Sequence, residues 1–387
     1  MKWPSLGKQF SNAVFGVNDM QEIYEEIMRC KKLGLDGVLG TIISTEGSTY
    51  QKTGTKCFIA ADGKLTGIVS GGCVEGDLHI IADEVIDRGK PKIVHYDFQD
   101  EGDLIWGLGV GCNGKMDVFL EPFRPEKDAV QAEQIQKWFE RGKSEILHSI
   151  TVTDAEDNHY IGRKWLINPQ ALDFDLVPFK EIMHDYLENE GSVAASVVQT
   201  ADKGTFRLFY DVIDPAPTLA IFGGGSDAVP LVQLAKKMKW YVTVLDHRPA
   251  FANSGNFPEA DAVICYPPGS VPNFELDSNT YVVIMSHHFL QDQIVLKEVI
   301  NSEAAYIGLL GPRRRTDELA KDLHLESHSN SHKIHSPIGL DIGSETPEEI
   351  ALSIISEVIS VYRGGTGSKL TTLEGKFNSC EKKGLLI

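Results

Sequence analysis

The chain predicts an α/β protein in two parts, a mixed α/β domain followed by a doubly wound parallel sheet. Three observations carry this. A strand-type run, Thr218 to Phe222, is followed by Gly223-Gly-Gly225-Ser-Asp-Ala228, a helical stretch from Val229 to Lys239, the strand Tyr241 to Leu245 and the acid Asp246. Further apolar runs at Ala262 to Cys265, Tyr281 to Met285 and Ala304 to Leu309 suit neighbouring parallel strands. Before Asp214-Pro-Ala-Pro217, a stiff extended connector, the pattern is different and more irregular.

In the first part, Asp19 is placed to cap a helix through Ile23, Tyr24, Ile27 and Met28, with Gly34 to end it. Val38 to Ser44 and Lys56 to Ala60 read as strands, and Asp62-Gly63 supplies a hairpin turn into Leu65 to Val69. Helical spacing from Val74 to Asp87 gives way to strand character at Lys92 to Phe98 and Met116 to Leu120. These signals divide the chain into a first domain at 1–125, a middle extension at 126–213 without an assigned role, a Rossmann-like domain at 214–363 and a tail at 364–387.

Composition narrows the function. With 42% apolar residues the chain has material for more than one core. Its formal charge of −18 repels phosphate backbones and anionic lipid, so neither nucleic acid nor a membrane is an expected partner. The start, MKWPSLGKQF, lacks an apolar run after its charge, and no stretch approaches the roughly 20 apolar residues of a bilayer span. The expected location is the cytoplasm. The six cysteines form no C-x-x-C pair, which argues against zinc ribbons, iron–sulfur clusters and a secreted disulfide framework.

Two loops of the first part carry chemistry. Gly71-Gly72 bends the chain after a strand, and Cys73-Val-Glu75 opens the next helix, where free N–H groups favour a thiolate. Glu75 would position a proton there or simply cap the helix. Cys112 sits in Gly109-Val-Gly111-Cys112-Asn-Gly114, which matches a dinucleotide fingerprint by letter but runs into a strand rather than a helix. Two thiols on glycine loops point to a soft or sulfur-containing ligand.

In the second part, Gly223 and Gly225 allow the turn and close approach of a pyrophosphate, and Asp246 falls where a carboxylate takes ribose hydroxyls. Asp227 places negative charge near the phosphates and Pro230 constrains the first helical turn, so NAD(P) binding and a Rossmann fold without nucleotide both stand open. His287 and His288 follow a strand at its carboxyl end, with Asp292 as the expected orienting carboxylate. Arg313, Arg314 and Arg315 form a basic cluster after another strand, a candidate phosphate clamp or a solvated helix face. Thr346-Pro-Glu-Glu349 is a capping box.

The run GTIISTEGSTYQKTGTKCFIAADGKLTGIVSGGCVEGDL, the loop GLGVGCNGKMDVFLEP and the later IFGGGSDAVPLVQLAKKMKWYVTVLDHRP, VVIMSHHFLQD, AYIGLLGPRRR and HSPIGLDIGSETPEEIALSIISEVI resemble the XdhC/CoxI family of xanthine dehydrogenase accessory factors. The resemblance implies an XdhC/CoxI-type first domain and a maturation factor that binds molybdenum cofactor (molybdopterin), assists its sulfuration and hands it to a xanthine dehydrogenase-type apoenzyme. Over both parts, the candidate cofactor-binding residues, for molybdopterin or NAD(P), are Gly71, Gly72, Cys73, Glu75, Gly111, Cys112, Gly223, Gly225, Asp246, His287, Arg313 and Arg314. Expected partners are that molybdoenzyme, a cysteine desulfurase and further copies of the chain. Where the family often shows Ser-Pro-Arg, this chain has Ser48-Thr49-Tyr50, without the guanidinium. The alternatives are an NAD(P)-dependent oxidoreductase, a xanthine dehydrogenase-associated subunit with its own redox activity, and an interaction scaffold without a cofactor cradle. The first leaves the N-terminal half unexplained.

Overall fold

The structure is a computed structural model describing residues 17–98, 113–141, 147–167, 194–201, 204–213, 215–325 and 328–369. The chain divides into two compact units at Pro215/Ala216.

The first unit opens with α1 (Val17–Leu33), followed by β1 (Gly37–Ser48), β2 (Lys56–Ala60), the short β3 (Leu65–Thr66), α2 (Glu75–Arg88), β4 (Lys92–Asp97) and β5 (Asn113–Phe123). Helix α1 starts two residues before Asp19, so Asp19 lies inside the first turn and is not its cap. The strands form an antiparallel sheet in the order β3-β2-β1-β5-β4. Strand alternation gives the central strands two apolar faces. Leu39, Phe58 and Phe123 pack with Ile23 and Ile27 of α1, and with Ile135, Trp138 and Phe139 of α3 (Ala129–Arg141). Val38, Ile42, Cys57, Ile59 and Val118 pack with Leu78, Ala82 and Val85 of α2. Each such fully buried aliphatic side chain contributes about 1.5–3 kcal/mol of burial free energy.

The middle segment supplies α3 and a second antiparallel sheet of β6 (Leu147–Ala155), β7 (Lys164–Ile167), β8 (Ala195–Ala201) and β9 (Gly204–Ile213), ordered β7-β6-β9-β8. It joins the first sheet through a small core of Ile43, Phe119, Ala194 and Phe209 and through the hydroxyl of Ser196, which donates to the Ile43 carbonyl at 2.6 Å. A buried ion pair, Lys56 to Asp211 at 2.6 Å, also links the two sheets.

Among the described residues, the second unit has six strands: β10 (Thr218–Phe222), β11 (Tyr241–Asp246), β12 (Ala262–Cys265), β13 (Thr280–Ile284), β14 (Tyr306–Leu309) and β15 (Ile334–His335). All pair in parallel, in the order β12-β11-β10-β13-β14-β15. Numbered from β10, this is 3-2-1-4-5-6, the Rossmann order, with the chain reversing direction across the sheet between β10 and β13. One face is covered by α4 (Ala228–Lys237) and α7 (Pro347–Arg363), whose Leu231, Ala235, Ile354 and Val358 meet Leu219, Ile221 and Val283. The other is covered by α5 (Phe289–Val299) and α6 (Arg313–Asp322), with Val295, Leu296 and Leu319 against Ala220, Val282 and Ile307. Thr346 and Glu349 complete a reciprocal capping box with Pro347 at the first helical position, so α7 starts where its sequence dictates.

Candidate functional site

In the first unit, the loop from Ser70 to Glu75 is shaped by Gly71 at φ +74° and Gly72 at φ +113°, a backbone path closed to other residues without strain. Glu75, the first residue of α2, turns its carboxylate back into this loop. It accepts from the N–H groups of Ser70 at 2.8 Å, Gly72 at 2.9 Å, Val74 at 3.2 Å and Val69 at 3.3 Å, and from the Ser70 hydroxyl. Burial pushes this carboxyl up, but the Ser70 hydroxyl and the loop N–H donors outweigh it and hold it below its ordinary range. The N–H groups of Gly72 and Val74 are therefore taken by Glu75 and are not the free donors that the sequence leads one to expect beside the thiol. Nor is Glu75 poised to move a proton; it organises the loop.

Cys73 stands just outside α2, partly exposed, in a small indentation that it lines with Thr49, Tyr50, Val69, Ser70, Phe98 and Met116. The Tyr50 ring lies against Gly71, where an added Cβ would come within 3.2 Å of it. An added Cβ on Gly72 would meet nothing within 4 Å, so the backbone beside the thiol faces open space. The deeper thiols, Cys57 and Cys30, are buried. Burial pushes Cys57 up to about 12 and Cys30 up to about 11, so both stay protonated and inert. Gly111 and Cys112 lie outside the described residues. Tyr50, Phe98 and Met116 carry no signal in the sequence that sets them beside Cys73.

In the second unit, Gly223, Gly225, Asp246 and His287 gather at the carboxyl ends of β10, β11 and β13. Gly223 has φ +130° and runs so close to β13 that an added Cβ would lie 2.5 Å from the Met285 carbonyl. Asp246 is buried, yet its carboxylate is fully engaged: Oδ2 accepts from Gly224 N–H at 2.7 Å and Arg248 Nη2 at 2.7 Å, and Oδ1 from Arg248 N–H and Nε at 2.8 and 2.9 Å. Burial pushes this carboxyl up, while these bonds outweigh it and hold it below its ordinary range. The Arg248 guanidinium in turn lies 3.9 Å over the Phe251 ring. Sequence reasoning misses Arg248, although its position two residues beyond Asp246 is a local signal.

His287 adopts φ +58°, uncommon for a residue with a side chain, and its Nε2 lies 2.8 Å from Asp227 Oδ2. Asp292 does not orient either histidine, contrary to expectation. It is buried, accepts from the Ser286 hydroxyl and pairs with Arg315 at 2.5 Å. Burial raises its pKa in spite of these partners. His288 serves as the cap of α5, accepting from Gln291 N–H at 3.3 Å. The arginine cluster divides at the start of α6: Arg315 turns to Asp292, whereas Arg313 and Arg314 are exposed and Arg314 binds Glu318 one turn on at 3.0 Å. That is the solvated-face geometry rather than a converging clamp. Among the described residues, no group of three or more His, Cys, Asp and Glu side chains is arranged to hold a metal ion. No helix among them is long and apolar enough to cross a membrane.

Family models match both parts: residues 30–97 match the XdhC and CoxI family, and 219–358 match the XdhC Rossmann domain. The chain is 34% identical over 329 residues to a Bacillus subtilis protein named as a probable xanthine dehydrogenase subunit, covering 85% of this chain and 94% of that protein. It is 21% identical over 349 residues to the molybdenum cofactor insertion chaperone PaoD of Escherichia coli, covering 90% of each. A crystal structure described as a xanthine dehydrogenase from Bacillus halodurans superposes with a TM-score of 0.68 at 29% identity, over 92% of this chain and 99% of that one. With a glycine-bent thiol loop in one unit, a Rossmann sheet in the other, and this breadth of likeness, the chain belongs to the XdhC/CoxI family.

Proposed function

We propose that this protein is a cytoplasmic accessory factor that binds molybdenum cofactor and delivers it to a xanthine dehydrogenase-type apoenzyme. The observation that carries this is the partly exposed Cys73 thiol on a two-glycine loop whose shape Glu75 fixes. Its support from outside the chain is the likeness to a relative named as an insertion chaperone for that cofactor.

The residues present suit such a ligand. A soft sulfur donor matches a molybdenum–sulfur centre, the Met116 thioether and the Phe98 and Tyr50 rings supply polarisable walls, and the backbone at Gly72 is open. When bound, the cofactor would supply the molybdenum, its sulfur ligands and a phosphate. In this reading Gly71 supplies the bend, Gly72 allows close approach, Cys73 touches the cofactor, and Glu75 keeps the thiol in place. On sequence grounds alone, we extend the proposed cofactor-binding set to Gly111 and Cys112. We extend the proposal to sulfuration of the held cofactor by a cysteine desulfurase, and to a homo-oligomeric assembly.

The test is retention. The full chain, purified anaerobically from cells that make the cofactor, is expected to carry molybdopterin, measured as its fluorescent oxidation product, together with molybdenum. Cys73→Ala should lower both at least about tenfold at unchanged fold, as expected when a direct ligand is lost. Equal retention by the native chain and the variant would remove Cys73 from the site. Xanthine turnover by the protein alone would overturn the accessory role. The NAD(P)-dependent oxidoreductase reading would require Asp246 to be free for a ribose, and Asp246 is already committed to Arg248 and Gly224.

A further inference from the structure

The second unit has the architecture that ordinarily binds dinucleotides: the glycine turn after its first strand, the helix that follows, and an acid at the end of its second strand. In that architecture the pyrophosphate lies over the glycine turn against the helix N-terminus, and the acid takes the ribose hydroxyls. Both places are filled here by the protein's own side chains.

Over the turn sits Asp227. An added Cβ on Gly225 would lie 2.6 Å from Asp227 Oδ1, so the carboxylate rests directly on the glycine a phosphate would approach. Its other oxygen is held by His287 Nε2 at 2.8 Å. His287 reaches it from the end of β13 with its backbone at φ +58°, a conformation that disfavours a side chain and needs the surroundings to hold it. At the second place, Asp246 has both oxygens bound by Arg248 and one also by Gly224 N–H. The two observations are independent, since they involve different carboxylates and different donors.

We infer that Asp227 and Arg248 are specificity-determining residues that close this Rossmann crevice to diphosphate-bridged dinucleotides: Asp227, secured by His287, stands in for the pyrophosphate, and Arg248 stands in for the ribose hydroxyls. The unit keeps the fold and fills its phosphate and sugar positions from within. This inference does not rest on cofactor binding at Cys73.

Isothermal titration of the full-length protein with NAD+, NADH and NADP+ at pH 7.5 tests it. The native chain is expected to show no saturation up to about 1 mM, the weak end of specific binding. Asp227→Asn removes the charge with little change of shape and should bring saturable binding, at least about tenfold tighter, because a like charge no longer faces the pyrophosphate. Adding Arg248→Leu should strengthen it further by freeing Asp246. Thermal melting within a few degrees of the native chain, about the spread of a neutral surface change, shows that a variant is folded. Micromolar binding by the native chain overturns the inference. So does failure of the folded Asp227→Asn chain, alone or with Arg248→Leu, to gain any binding.

Discussion

The ammonium of Lys56 and the carboxylate of Asp211 meet at 2.6 Å in the interior of the first unit, where Lys56 is 1% and Asp211 3% exposed. Lys56 also donates to the Gly54 carbonyl at 3.0 Å and lies 4.9 Å from the Trp138 ring centre. Burial pushes the lysine's pKa down, and Asp211 opposes that shift. Each ion makes the other tolerable in a medium that would otherwise reject both.

Removing one partner should therefore be worse than removing both. Asp211→Ala leaves the lysine charge in the interior and should cost about 3–5 kcal/mol. For a unit of this size that lowers the melting midpoint by roughly 10 °C. Lys56→Met combined with Asp211→Leu should recover a large part of the loss. Calorimetry of the native chain, Asp211→Ala and the double variant measures this, and a double variant that melts no higher than Asp211→Ala would overturn it.

Glu75 gives a pH signature. Its folded pKa lies below the ordinary value of 4.5, so its contribution is fully present above the unfolded pKa and is lost as pH falls through the folded one. Glu75→Gln should destabilise the first unit by about 2 kcal/mol at pH 7, since bonds to an ionised acceptor are the stronger kind. The gap between native and variant chains should stay level between pH 8 and pH 6 and close as pH drops below about 4. A gap that widened in acid would contradict the assignment.

Thiol accessibility separates the cysteines. Cys73 is partly exposed and Cys265 exposed, whereas Cys30 and Cys57 are buried and shifted upward. In a brief iodoacetamide pulse at pH 8, peptide mass spectrometry should find Cys73 and Cys265 alkylated and Cys30 and Cys57 unmodified until the chain is unfolded. Early labelling of Cys57 would mean that the sheet under α2 opens in the native state.

What can be read from the sequence is local. The strand, glycine turn, helix, strand and acid of the second unit lie in one continuous run, as do Thr346 and Glu349, and the structure repeats both. Side-chain commitments are harder to see. The spacing of Arg248 two residues beyond Asp246 is only a hint that it folds back on the acid, and nothing in the letters shows that Glu75 spends its carboxylate on five donors of its own loop. The strand expected from Leu65 to Val69 pairs only at Leu65 and Thr66, because Gly67 at φ +84° leaves the extended region and the following N–H groups turn to Glu75. Lys56 and Asp211 are distant in the chain, and a buried lysine in a strand carries no sequence mark of its partner. Proximity in sequence assigns Asp292 to the histidines, but Ser286 and Arg315 reach it first.

Gly223 supplies the sharpest test of the second unit. Two separate constraints fall on it. Its φ of +130° is a region where side chains are strained, and an added Cβ would lie 2.5 Å from the Met285 carbonyl carbon and oxygen and 2.7 Å from Ser286 N. Those are backbone atoms of the neighbouring strand end and cannot rotate aside. Gly223→Ala should therefore push β10 and β13 apart at the point where Met285 N–H donates to the Phe222 carbonyl at 2.8 Å, at a cost of about 3 kcal/mol or more. Gly63, at φ +86° in an open hairpin with nothing within 4 Å, bears the first constraint without the second, and Gly63→Ala should cost only about 1 kcal/mol. Paired melting curves decide between them. The expected result is a large downward shift for Gly223→Ala confined to the transition of the second unit, and a small shift for Gly63→Ala confined to the first. Equal shifts would show that backbone conformation alone, and not the close approach to Met285, fixes the glycine at the head of the sheet.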